Sequence, residues 1–370
     1  MKKKATNSEP CSRISDFVLN LNPTLFTFLE TVTGALDPDQ FELALVLEAL
    51  QVEKFVEDTR LWGGRPAYSL KPTARALVAK AKLNIATTKA LIARLKVDHS
   101  LRTLCGFDKT VPGASTFSRH FKAFAQSAVL DLAHESLVRE HVGAETVHHV
   151  CRDSSAIKGR EKPTLKYKRK SPVKKKRGRP SKGAEPVIKE PTRISVQLEQ
   201  DFQTSLGELP RACDVGSKTN SKGHLSCWVG FKLHLDVSDG GLPLSAFTSS
   251  ASVHDSQVAI PLSRMTSSRV AGVFYELMDR GYCAKGITEA IVRQGHVPII
   301  QPTMRDKNSV PLDSAQAQRF KIRTTVERTF SDLKDNHGGR TIRVRGPAKV
   351  HTHLMFGVLT IFALVLIRTA

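Results

Sequence analysis

Between residues 38 and 142, apolar positions recur every three or four residues, as in FELALVLEALQVEKFV, PTARALVAKAKLNI, TTKALIARLKV and STFSRHFKAFAQSAVLDLAHESLV. That spacing lines one face of a helix, so the stretch predicts several short helices. GGRP at 63–66 and VPGAS at 111–115 supply the turns between them, with Ser115 as the expected N-cap of the last. Near Glu145 the period changes. VHHVCRDSS reads as a strand, WVGFKLHLDV (228–237) alternates with period two, and LPLSAFTSS follows Asp239-Gly240-Gly241 as its hairpin partner. Val273 to Met278 and His296 to Ile300 are further short strands, separated by a helical stretch from Lys285 to Arg293. The pattern divides the chain into a tail (1–37), an all-α domain (38–144) for DNA binding or for dimerisation and support, and an α/β domain (145–370). Leu354 to Ile367 is nearly all apolar but shorter than the roughly 20 residues of a membrane span, and reads as a buried core helix.

A polar insert, 156–209, interrupts the α/β domain. It includes KYKRKSPVKKKRGRPSKG at 166–183 and holds too little apolar surface to fold alone, so disorder is expected there. The whole chain, 370 residues with 40% apolar content, is long enough to bury a substantial core. Its net charge of +21 calls for a polyanionic partner, because neutralising phosphates releases condensed counterions. DNA, RNA and an anionic membrane all satisfy that demand. The six cysteines form no CxxC pair and no zinc spacing, which excludes a disulfide framework and fits a reducing cytoplasm. MKKKATNSEPCSRISDF is charged but lacks the apolar stretch of a signal peptide.

Candidate chemistry rests on carboxylates. Asp153 closes the strand VHHVCRD, and Asp279 closes VFYELMD before Arg280-Gly281 opens a turn. The C-terminal ends of strands are where α/β sheets place their sites. In QAQRFKIRTTVERTFSDLK, read as one helix, Phe320, Arg323, Glu327 and Lys334 stand at offsets of 3, 4 and 7, which brings all four to one face. Glu276, three residues before Asp279, should face the other side of its strand. Asp255 reads as an N-cap, and His148, His149, His351 and His353 read as structural, since no cysteine or glutamate completes a zinc set. Arg343 and Arg345 lie either along a DNA channel or on an exposed edge strand.

The spacing Phe320-x2-Arg323-x3-Glu327-x6-Lys334 resembles the Tyr-x2-Arg-x3-Glu-x6-Lys signature of bacterial insertion-sequence DDE transposases, with Phe in place of Tyr. RDSS around Asp153 and MDRGYCAKG around Asp279 are similar to that family's aspartate motifs, and the similarity spans about 60–370. The resemblance implies an α/β RNase-H-like catalytic domain in which Asp153, Asp279 and Glu327 hold two Mg²⁺ ions, with Mn²⁺ as a substitute, for cleavage of transposon ends and strand transfer into target DNA. It implies phosphate contacts from Arg323 and Lys334, a DNA contact from Phe320 without the phenol's hydrogen bond, and a homodimer on double-stranded DNA in the bacterial cytoplasm, at the nucleoid and away from membranes. Arg177-Gly178-Arg179-Pro180 resembles the core of an AT-hook, whose arginines enter the minor groove. A noncatalytic DNA-binding relative and a nuclease of the same fold are the competing readings.

Overall fold

Helix α1 (Pro38–Leu50) begins with a reciprocal cap: the Asp37 carboxylate accepts from the Gln40 N–H at 2.7 Å, and the Gln40 side chain accepts from the Asp37 N–H. Five helices follow, α2 (Leu70–Lys82), α3 (Thr88–Val97), α4 (His99–Leu104), α5 (Ala114–Gln126) and α6 (Val129–His141). Each buries an apolar stripe, in agreement with the helical spacing. Helix α5 starts earlier than expected. Gly113 is its N-cap, with its carbonyl accepting from Thr116 and Phe117, so Ser115 lies inside the first turn and caps nothing. This computed structural model describes residues 36–57, 68–108, 110–164, 191–219, 223–302 and 310–369.

The sheet has six strands: β1 (Thr146–Lys158), β2 (Asp214–Thr219), β3 (Leu225–Ser238), β4 (Pro243–Ser250), β5 (Gly272–Met278) and β6 (Val297–Ile300). β3 runs antiparallel to β1, and its other edge is shared in succession by β2 and β4. β5 lies parallel to β1 on the opposite side, and β6 parallel to β5. The result is the mixed α/β sheet expected for 145–370. The remaining helices are α7 (Arg193–Glu199), α8 (Phe202–Gly207), α9 (Ser256–Ser267), α10 (Lys285–Arg293), α11 (Ser314–Phe320), α12 (Thr324–Asn336) and α13 (Pro347–Thr369).

Helix α13 is 23 residues long, well beyond the stretch from Leu354 to Ile367 read from sequence, and is long and apolar enough to cross a membrane. Its most apolar stretch is 83% buried inside the protein. It packs against β4, α1, α2, α5 and α6, so one hydrophobic cluster runs from Leu43 to Leu366 through both halves of the chain. Helix α12 packs on β1, β3 and α13. At the α12–α13 contact, a Cβ on Gly357 would meet Leu333 Cδ1 at 2.5 Å and the His337 carbonyl oxygen at 2.8 Å. Gly357→Ala should therefore push the two helices apart and cost about 1–3 kcal/mol of stability, read as a lower urea midpoint. An unchanged midpoint would mean that the contact yields without strain.

The insert departs from expectation at both ends. β1 runs on through Ala156 to Lys158, and residues 193–207 form α7 and α8. Their apolar side chains find partners in the fold: Ile194 and Leu198 pack against the cluster under α10, and Phe202, Leu206 and Leu209 against α9 and β4. Disorder was expected from average composition, which the lysine run dominates and these flanks do not share. Arg177 and Arg179 lie outside the described residues.

Candidate active site

Asp153 stands in the middle of β1, not at its end as the sequence pattern suggested, because β3 keeps pairing with β1 as far as Lys158, with Asp153 opposite Leu235. What ends at this level is the neighbour. The parallel register of β1 and β5 closes at Arg152 with Met278, so Asp153 and Asp279 each follow the last pair on adjacent strands. Asp279 then caps the short turn Arg280–Tyr282, its Oδ1 accepting from the Gly281 N–H at 2.8 Å.

Glu327 reaches the same place from the first turn of α12. The stretch read as one helix is broken: α11 ends at Phe320, a 3₁₀ turn covers Lys321–Arg323, and α12 starts at Thr324. A 3₁₀ turn aligns positions three apart, and the Phe320 ring lies 5.7 Å beneath the Arg323 guanidinium. Arg323 bridges two of the acids, donating from Nη1 to Asp153 Oδ2 at 3.0 Å and from Nη2 to Glu327 Oε1. Lys334, in the last turn of α12, donates to Ser155 Oγ at 2.6 Å. The geometry thus joins Asp153 and Glu327 through Arg323, sets Asp279 beside Asp153 on the neighbouring strand and holds Lys334 against Ser155, two positions along β1.

The electrostatics set partly buried acids beside several cations. Burial pushes the Asp153 carboxyl up, the Ser154 N–H pulls it down, and repulsion from Asp279 outweighs Arg323, leaving it above its ordinary value. Lys334 is held below its ordinary value by burial and by the cations of Arg340 and Lys218. Lys218, on β2, faces both Asp153 and Lys334 and went unnoticed in the sequence; the basic run SKTNSKG was its only signal. Among the described residues, no three His, Cys, Asp or Glu side chains converge closely enough to hold a metal ion. The guanidinium of Arg323 stands between Asp153 and Glu327. The donor set is nonetheless all carboxylate oxygen, the chemistry that Mg²⁺ prefers.

Arg152, next to Asp153, points through the opposite face of the sheet into a buried network. Its Nε and Nη2 each donate to Asp236 at 2.7 Å, and its Nη1 donates to Glu276 at 2.7 Å. Glu276 also receives hydrogen bonds from Ser263 and His296, and Asp236 one from Thr266. Glu276 is therefore across the strand from Asp279, as the alternation required. The network ties β1, β3 and β5 together at the level of the acidic pair. Sequence reading missed it, although two acids at inward positions of the apolar strands that flank β1 were the available signal.

Asp255 occupies the N-cap position of α9 but does not cap it. It sits in helical conformation and turns instead to Lys232 Nζ at 2.9 Å and to the Ser154 hydroxyl. Burial pushes its carboxyl up, but His234, Lys232 and Ser154 hold it below the ordinary value. The hydroxyl of Tyr282 is buried with no hydrogen-bond partner among the described residues, close to Asp255, Asp153 and Asp279. The four histidines make structural contacts: His148 and His149 stack on Phe274 and Tyr275, His351 joins Thr248 to Asp131, and His353 binds the Gly338 carbonyl.

Residues 192–363 match the family described as the transposase DDE domain, and residues 28–123 match a transposase domain (DUF772). The first match includes Asp279 and Glu327 and begins beyond Asp153. No curated protein and no solved structure matches the chain.

Proposed function

The chain belongs to the insertion-sequence DDE transposases, and from that premise we propose that it cuts DNA at transposon ends and joins the freed 3′-OH to target DNA. The observation that carries this reading is the placement of Asp153 and Asp279 side by side at the end of the β1–β5 register, with Glu327 tied to Asp153 through Arg323. A DDE domain implies an RNase-H-like fold, and the mixed sheet suits one.

Enzymes of this family generally use divalent ions. Two Mg²⁺ ions, for which Mn²⁺ can substitute, would supply Lewis-acid stabilisation of the phosphoryl oxygens and an activated hydroxyl for in-line attack. Asp153, Asp279 and Glu327 would provide the carboxylate oxygens to hold such ions. Arg323, released from its bridge between two of those acids, carries a bidentate fork suited to the scissile phosphate. Lys334 and Lys218 add point charges for the flanking phosphates, and Phe320 offers a ring for stacking. On this reading, helices 38–144 bind DNA ends and support a homodimer that pairs them, 145–370 performs the chemistry, and the lysine-rich segment with Arg177 and Arg179 adds phosphate attraction. The protein acts in the bacterial cytoplasm on nucleoid DNA.

Incubating the protein with pre-cleaved element ends, a circular target and Mg²⁺ tests this. Products in which the end is covalently joined to the circle are expected. Nicked circles alone would instead identify a nuclease of the same fold.

A further inference from the structure

Between α2, the starts of α3 and α5, and the loop that joins α12 to α13 lies a cavity of about 390 Å³. Its walls carry Lys80, Arg343, Arg345 and Lys349 and no carboxylate; of the phenylalanines that line it, Phe117 and Phe356 are buried in the core and Phe121 is half-buried. Two carboxylates near this end of α13 are engaged outside the cavity lining: Glu161 accepts from the Gly346 N–H, and Asp131 pairs with His351.

Lys80 is the informative residue. Burial and the nearby Arg343 push its ammonium down to about 8. A buried cation whose neighbour is another cation is costly, and an anion would relieve it. Two further features lead the same way. Thr87 and Thr88 at the start of α3 and Ala114 at the start of α5 line the space, so two helix N-termini add positive potential. Gly113 gives α5 no side-chain cap. A smaller cavity of about 110 Å³ shares Lys80, Gly338 and His353 with it and is also lined by Lys334, Arg340 and Asp335, the last two paired with each other. Lys334 in turn touches Ser155, two positions along β1 from Asp153. The basic cavity thus lies beside a smaller one whose Lys334 touches β1 two positions from Asp153.

We propose that this cavity seats an unpaired nucleotide of the DNA strand held at the acidic cluster, its phosphate against Lys80 and Arg343 and its base against the Phe121 ring. A free phosphate would use the cations and leave that ring idle. A base within a duplex is stacked on its neighbours, whereas an unpaired one is free to stack on aromatic rings. The inference rests on the DNA-cutting function and adds to it a preference for DNA with a single-stranded segment.

The test is fluorescence anisotropy in EDTA, which stops cleavage, with a labelled duplex that is either blunt or carries a short single-stranded tail. The intact protein should bind the tailed duplex roughly tenfold more tightly. Lys80→Met keeps the stem and removes the buried charge, and Phe121→Leu keeps the apolar volume and removes the ring. Each should erase the preference and leave blunt-duplex affinity within about twofold, with melting curves confirming the fold. Equal affinities for the two duplexes in the unmodified protein, or a preference that survives Lys80→Met, would overturn the proposal. Failure to bind either duplex would remove the DNA function as well, whereas normal strand transfer without any tail preference would remove only the cavity's role.

Discussion

Glu327→Gln is expected to abolish Mg²⁺-dependent DNA cleavage and strand transfer while leaving DNA binding in EDTA intact. Glutamine preserves the length and shape of the side chain and one acceptor oxygen but removes the negative charge. Losing a carboxylate ligand forfeits several kcal/mol of charge stabilisation, so the cleavage rate should fall at least about 10³-fold. The fold should be indifferent: Glu327 is 51% exposed in the first turn of α12, and its ion pair with Arg323 is of the helical i, i+4 kind. Such substitutions shift stability by about 0.5 kcal/mol or less. Single-turnover cleavage, anisotropy and a urea curve together separate these effects. Cleavage at the unmodified rate would remove Glu327 from the active site.

The second large effect is on stability. Arg152→Met should cost about 3–5 kcal/mol, because it leaves Asp236 and Glu276 buried without their counter-charge. That is a large share of the 5–15 kcal/mol that ordinarily separates folded from unfolded chains. Replacing all three together, as Arg152→Met with Asp236→Leu and Glu276→Met, should recover most of the loss, since no buried charge then remains. Acid dependence provides an independent check. Although burial pushes the Glu276 carboxyl up, Arg152, His296 and Ser263 hold it down at about 2. A carboxylate depressed by folding contributes stability above its ordinary value of 4.5 and loses that contribution as pH falls toward 2. Urea midpoints of the unmodified protein should therefore drop across that window, and the Arg152→Met midpoints should drop less. A single variant within about 1 kcal/mol of the unmodified protein would contradict the network's role.

Much of the fold was legible because it follows local periodicity. The helical repeats of 38–142, the alternation of 228–237 and the helix at Lys285–Arg293 depend on near neighbours, and the structure keeps all three. The boundaries that failed were set by distant partners. Asp153 could not be placed within β1 without knowing that β3 pairs on to Lys158. The interruption at Lys321–Arg323 was likewise invisible in a sequence whose apolar spacing suits an unbroken helix. Asp255 carries the residue type of a cap, but Lys232 and Ser154, distant in sequence, capture its side chain.

The sequence by itself determined the residue types and their local order: the acids Asp153, Asp279 and Glu327, the Phe320, Arg323 and Lys334 spacing, and a net charge of +21. Tertiary structure alone decided which of these meet. Parallel pairing of β1 with β5 sets Asp153 beside Asp279, and the packing of α12 on β1, β3 and α13 delivers Arg323 between Asp153 and Glu327. The buried Arg152 network and the basic cavity at Lys80 belong to that second class too. Charge pairing and burial depend on distances across the fold, which local periodicity does not encode.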